Sequence, residues 1–263
     1  MKKSLTLIFF LFIAICSSRA QSMCRSNNFA FGDGEQLTFK VYYNLSFIWV
    51  GAGKATFTSH FVHYKNRPTW HVVGKGRTFS SYDWIFKVRD RYESYIDTAT
   101  MQPLTFIRKV REGDYRKYNK VNFYQDREKA VSENGTIKIP SCVQDVISAI
   151  YRARNIDFSK YHVGDKIPLK LYLDDEIYDI YIRYMGKEKI ETHLGEFNAI
   201  KFKPLLIKGT IFEGGEKMDV WVSDDKNRLP LRVNSPISVG SVKVDLVGFK
   251  NLRNSFSSVI EWD

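Results

Sequence analysis

Residues 35–43, EQLTFKVYY, set Leu37, Phe39, Val41 and Tyr43 in alternation with Gln36, Thr38, Lys40 and Tyr42. A period of two is that of a strand with one buried face. The same texture continues outward, through 54–64 and 69–79 with Asn66-Arg67-Pro68 as a turn, and then through 103–111, 115–126 and 128–139. Gly113-Asp114 and Asn134-Gly135 punctuate the last set. The second is the residue pair that a type I′ hairpin turn prefers. Strand texture resumes at 167–174, 177–187, 190–207, 216–223, 229–234 and 237–249, broken by Asp174-Asp175, Gly214-Gly215 and residues 224–227. The predicted fold class is mainly β: an antiparallel, open or half-closed barrel with one central helix at 141–154 packed on the sheet. A helix covering a sheet is one of the ways such folds protect their edges.

The helix is read from Pro140, which stops a strand, and from Ser141 with Gln144 three residues on, the pattern of a capping box. Val143, Val146, Ile147 and Ile150 follow helical spacing, Asp145, Ser148 and Arg152 take the opposite face, and Asn155 terminates. Residues 80–87 read as a short second helix. Residues 155–165 read as a connection. The domain reading is residues 21–34 as an N-terminal extension and 35–263 as a single β-rich domain, or two β halves joined around 140–165.

The chain has 263 residues, 40 Lys and Arg against 29 Asp and Glu, a formal charge of +11, 44% hydrophobic and 15% aromatic residues. That is a globular composition, which excludes a disordered or low-complexity chain. Residues 1–20 read as a signal peptide. Lys2 and Lys3 precede the apolar run 5–16, and Ser18 and Ala20 place a cut after Ala20. The run is too short to span a bilayer comfortably, and no later segment predicts a transmembrane helix. Removing 1–20 takes away Lys2, Lys3 and Arg19 and no acid, leaving +8. Acylation at Cys16 competes poorly, because a bulky Ile15 precedes it. Export to the periplasm, or to the periplasmic side of the outer membrane of a Gram-negative bacterium, follows. Cys24 and Cys142 are then a candidate disulfide.

Known chemistries fail one by one. His60 and His63 are three apart on a strand and point to opposite faces. His71, His162 and His193 have no ligand-spaced neighbours, and HExxH and CxxC are absent, so no metal site is predicted. There is no GxSxG. Asp145, Ser148 and Arg154 are the first positions where an unseen catalytic site would lie. Asp174-Asp175-Glu176 and Asp224-Asp225 read as turn formers. Residues 51–56, GAGKAT, lack the pattern of a phosphate loop and read as glycines allowing a bulge. No catalytic residue and no cofactor is assigned.

Two surfaces remain. Arg108, Lys109, Arg111, Arg116, Lys117 and Lys120 fall within one hairpin, a basic-surface candidate for an anionic envelope polymer or protein partner; an exported chain rarely meets nucleic acid, so none is expected. Trp49, Tyr82, Trp84 and Phe86 are pocket candidates for an apolar or amphipathic, lipid-like ligand.

Several segments together resemble one bacterial family. These are residues 31–37 (FGDGEQL), Trp49-Val50-Gly51-Ala52-Gly53 with Ala55, residues 88–95 (VRDRYESY), residues 142–151 (CVQDVISAIY), and residues 219–225 (DVWVSDD) followed by Arg228-Leu229-Pro230. The chain is identified by them as similar to the domain of unknown function numbered 3108. The resemblance implies an exported, β-rich envelope protein and supplies no activity or site residue. The leading expectation is therefore a non-enzymatic envelope protein carrying a lipid-like ligand. Its rival is an envelope assembly or interaction protein working through the basic strands.

Overall fold

The computed structural model describes residues 26–263 except 46, 47, 209–213 and 239. The expected signal peptide, its cut after Ala20, Cys16 and the Cys24 half of the expected disulfide lie outside the described residues. The strands are β1 (Glu35–Leu45), β2 (Ile48–Tyr64), β3 (Arg67–Thr78), β4 (Arg89–Asp97), β5 (Pro103–Glu112), β6 (Tyr115–Tyr124), β7 (Lys129–Ser132) and β8 (Gly135–Lys138). After helix α1 (Val146–Ala153) come β9 (Lys166–Leu173), β10 (Glu176–Thr192), β11 (Gly195–Pro204), β12 (Asp219–Ser223), β13 (Pro230–Pro236), β14 (Ser241–Lys250) and β15 (Val259–Trp262). They form one antiparallel sheet in the order β8-β7-β6-β5-β4-β3-β2-β1-β14-β13-β12-β11-β10-β9, with β15 added on β11. Two meanders thus run outward from a central β1–β14 pair.

The sheet is open, with β8 and β9 as its edges. Side chains and the lead-in to α1 link the two edges. Gln144 makes a parallel bridge to Leu171 on β9, its N–H donating to the Lys170 carbonyl at 2.8 Å. Arg108 and Lys117 both donate to Asp174 in the β9–β10 turn, and Asn134 Nδ2 donates to Asp175 at 2.6 Å.

The helix is shorter than expected, and its cap lies elsewhere. Cys142 has a left-handed φ of 66° and Gln144 is committed to β9, so 141–144 does not start the helix. Asp145 is the N-cap: its carboxylate accepts from the N–H groups of Ile147 and Ser148 at 2.8 Å, and the Ser148 hydroxyl accepts from the Asp145 N–H at 2.9 Å. Asp145 and Ser148, expected on a solvated face, are fully buried. Ser94 on β4 donates to Asp145 at 2.6 Å. Burial pushes the Asp145 carboxyl up to about 6, against those hydrogen bonds, which pull it down. Residues 80–87 hold only a 3-10 turn, Ser80–Tyr82. Strand β4 has no counterpart among the expected segments. Residues 190–207, expected to be continuous, break at His193-Leu194 into a hairpin.

Beyond the helix, Arg154 is 2% exposed and reaches Glu35, fully buried at the start of β1, with bonds of 2.6 and 2.8 Å. It also donates to the carbonyls of Ala30 and Asn227. Asp145, Ser148 and Arg154 are therefore joints between helix and sheet. A core of Phe31, Val72, Phe106, Val121, Phe123, Ile147, Tyr151 and Tyr172 fills the space between α1 and the sheet. A second cluster around Phe39, Phe197, Trp221, Leu231 and Leu246 continues it across β1 and β10–β14.

Candidate functional site

Successive side chains of a strand point to opposite faces, and α1 marks which face is which. A Cβ on Gly74 would meet the Ile147 side chain of α1 at 3.4 Å, and Ser94 binds Asp145. Residues in step with Gly74 and Ser94 therefore face the helix, and those in step with Lys75 and Arg91 face away.

The face turned away collects cations. The β2–β3 turn is Lys65-Asn66, both left-handed at φ 52° and 60°, which sets Tyr64 opposite Arg67 and, further along, Lys54 opposite Arg77. Arg77 lies opposite Arg89, and Lys75 opposite Arg91. Arg91 lies opposite Lys109, and Arg111 opposite Arg116. Five strands thus bring eight cations into two ladders and a rung. Together they border an open cavity of 780 Å³. Like charges directly opposite each other on a sheet are destabilising.

Few counter-charges answer them. Arg89 is held by Asp83 at 2.6 Å, and Arg91 by Glu93 at 2.6 Å. The hydrogen bonds from Arg89 and Thr78 hold the Asp83 carboxyl below the usual range. Burial raises Glu93, but bonds from Arg91 and His71 outweigh it and leave the group lowered. Asp90 also borders the cavity; burial raises its carboxyl and that of neighbouring Glu112. Arg116 donates to the backbone carbonyls of Gly113 and Tyr115. Among the described residues, no carboxylate lies within ion-pair distance of Lys54, Lys75, Arg77, Lys109 or Arg111.

The basic residues singled out in the sequence divide between the two faces. Lys109, Arg111 and Arg116 line the cavity, and Lys120, opposite Ile107, shares their face. Arg108 is not on that surface: it is 8% exposed, points to the helix side and binds Asp174. Lys117 follows it, 2.6 Å from the same carboxylate. Both fasten the β9–β10 turn; Arg108 is buried there, while Lys117 stays partly exposed and also borders the cavity. Sequence reading missed Lys54, Lys75, Arg77, Arg89 and Arg91. The first three lie in strands read correctly, and the two-residue turn at Lys65-Asn66 would have given their register.

Three of the aromatic candidates stand open to solvent. Trp84 is 82% exposed, its indole N–H donating only to the Ser81 carbonyl at 2.9 Å; Phe86 is 53% and Trp49 40% exposed. Tyr82 belongs to the 3-10 turn. The helix-side face, where a carrier would hold an apolar ligand, is filled at its centre by α1 and the first core cluster. Among the described residues no group of three His, Cys, Asp or Glu has the geometry of a metal site, and no helix is long and apolar enough to cross a membrane.

Comparison with known proteins follows the fold. The beta-barrel-like protein of domain of unknown function DUF1849 from Brucella abortus superposes with a TM-score of 0.55 at 8% identity, covering 86% of this chain and all of that one. A protein with a YMCC-like fold from Bacteroides fragilis covers 86% of this chain and all of its own, at 13% identity and a TM-score of 0.39. At these identities the first likeness is one of fold, and the second is too loose to add to it. No curated protein matches. The family model described as "Protein of unknown function (DUF3108)" matches residues 38–247.

Proposed function

This chain belongs to the DUF3108 family, which brings no activity with it, and from its own residues we propose that it is an extracytoplasmic binding protein for a polyanion. The observation that carries this reading is the set of five cations, Lys54, Lys75, Arg77, Lys109 and Arg111, without carboxylate partners and stacked against like charges around one cavity. A ligand bearing several phosphates or carboxylates relieves that repulsion and forms charge-assisted hydrogen bonds to side chains already gathered by the sheet. The site needs no catalytic group for this task, and neither the family nor the fold relative indicates a catalytic one. Export rests on the sequence signal in residues 1–20. A disulfide between Cys142 and Cys24 is proposed with it, as an oxidising compartment would allow.

The test is titration of the chain with soluble inorganic polyphosphate. Binding is expected to weaken steeply as salt rises. The variant Lys75→Gln/Arg77→Gln/Lys109→Gln is expected to lose about a hundredfold or more in affinity, at roughly 1 kcal/mol or more per removed charged contact. Salt-insensitive binding, or full binding by that variant, would overturn the reading.

A further inference from the structure

Antiparallel strands alternate in direction, so the β1–β2, β3–β4 and β5–β6 connections all emerge at one end of the sheet. Each presents large apolar side chains to solvent. At the β1–β2 connection they are Ile48 (70% exposed) and Trp49; at β3–β4, Trp84, Ile85 (62%) and Phe86; at β5–β6, Tyr115 (54%). The β2–β3 and β4–β5 connections at the opposite end are polar. The first turns at Lys65-Asn66, and the second is capped by Asp97, whose Oδ1 accepts from the N–H groups of Ala99 and Thr100 at 2.9 and 3.0 Å.

The apolar loop is braced rather than slack. Thr78 and Arg89, at its two feet, both bind Asp83. Its last turn is tied to the next hairpin by the Gly113 N–H, which donates to the Lys87 carbonyl at 2.8 Å. Such a loop keeps Trp84-Ile85-Phe86 in water where an apolar sequence would normally be buried, and an exposed cluster of this kind marks an interaction surface. The charge around it names the partner. Arg77, Arg89, Arg111 and Arg116 stand at the base of the same tips. The Lys243 ammonium lies 4.9 Å over the Trp49 ring. Aromatic side chains at a tip with cations behind them match the order of a bilayer surface, acyl boundary first and anionic headgroups next.

The geometry points to this end of the sheet as a docking surface for an anionic lipid bilayer, with Trp84, Ile85 and Phe86 entering the interface and the cationic ladders meeting the headgroups. This inference rests on the polyanion reading of the basic face and names its ligand as membrane-borne. Its test uses the full chain with vesicles of phosphatidylcholine alone and of phosphatidylcholine mixed equally with phosphatidylglycerol. The mixed vesicles are expected to capture the chain on sedimentation and to shift its tryptophan emission to the blue, a shift reduced in Trp84→Phe. The variant Trp84→Ser/Ile85→Ser/Phe86→Ser is expected to lose about tenfold or more in vesicle affinity while binding soluble polyphosphate as before. Capture of that variant at full strength would overturn the inference and leave the polyanion reading standing. Equal capture by pure phosphatidylcholine would overturn the anionic partner. Vesicle-independent self-association of the parent, abolished in the variant, would replace the bilayer with a second copy of the chain. Loss of polyphosphate binding in the parent would overturn the polyanion reading itself.

Discussion

Both halves of the sheet are rich in Lys and Arg, and they treat them differently. In the second meander most of the cations on the strands meet a carboxylate. Arg232 lies directly opposite Asp245 and binds it at 2.6 Å. Lys170 lies opposite Asp179 at 2.5 Å. Arg183 holds Glu216 at 2.7 Å, Lys203 holds Asp219 at 2.9 Å and Lys187 holds Asp224 at 2.7 Å. In the first meander Lys54, Arg77 and Arg89 face one another instead, as do Lys75, Arg91 and Lys109. An opposite-charge cross-strand pair stabilises by roughly 0.2–1 kcal/mol, and a like-charge pair acts in reverse. One half therefore uses its charges to hold the sheet together, and the other keeps its charges at some expense to the fold. Net charge alone does not distinguish these uses; the register does.

The stability cost of removing a cation should then track its pairing. Arg154 is the paired extreme. Arg154→Met leaves Glu35 charged in the interior and is expected to cost about 3–5 kcal/mol in urea unfolding. The double variant Arg154→Met/Glu35→Met should recover part of this, and a single-variant loss below about 1 kcal/mol would break the comparison.

Asp145 sharpens it from the other side, as a fully buried carboxyl bound by hydroxyls and N–H groups with no cation among its contacts. Its folded value is about 6 against the ordinary 3.8. Between those two pH values the folded chain retains a proton that the unfolded chain releases, so the contribution is destabilising as pH rises through the window and constant above it. The slope is expected to sum to about 3 kcal/mol and to vanish in Asp145→Asn, which keeps a capping oxygen. Parallel pH profiles for parent and variant would remove Asp145 as the source.

The smallest effects come from a matched pair. Arg232→Ala exposes the fully buried Asp245 to loss of its partner and should cost about 1.5–3 kcal/mol. Arg77→Ala should lie within about 0.5 kcal/mol of the parent or above it. Equal losses at the two positions, measured by thermal or urea unfolding, would mean that the unpaired face contributes to folding after all.

Much of this was legible from residues alone. Alternation located most strands, and the glycines at 51–53 mark a bulge, seen as the register shift between Val41 and Tyr42. At Gly53 a Cβ would stand 2.5 Å from the Arg77 carbonyl. Strand β4 escaped because its helix-facing positions include Ser94, a polar residue buried by its bond to Asp145, which interrupts the apolar period. The helix cap was misplaced because Ser141 and Gln144 satisfy the capping pattern locally, while Gln144 is engaged by β9, distant in sequence. The basic face was only half visible for a related reason. Lys109, Arg111 and Arg116 sit on one hairpin, but Lys54, Lys75, Arg77, Arg89 and Arg91 join them only through three further registers. The aromatic loop was recognised by composition, but its exposure was not legible, since a run of Trp, Ile and Phe carries no mark of which side of a sheet it leaves.

The strand order has a consequence for how the chain acquires its fold. β1 is among the first strands to be made and lies at the middle of the sheet, with one side paired to β2 and the other to β14, some two hundred residues later. Until β14 arrives, β1 is an unpaired edge of alternating apolar residues, the kind of edge that recruits other chains. Closing so long a loop is slow, and the first meander must wait, half finished, for almost the entire chain. A chain made amino end first therefore reaches its native sheet only after synthesis is nearly complete, and β1 is the strand that stays exposed the longest.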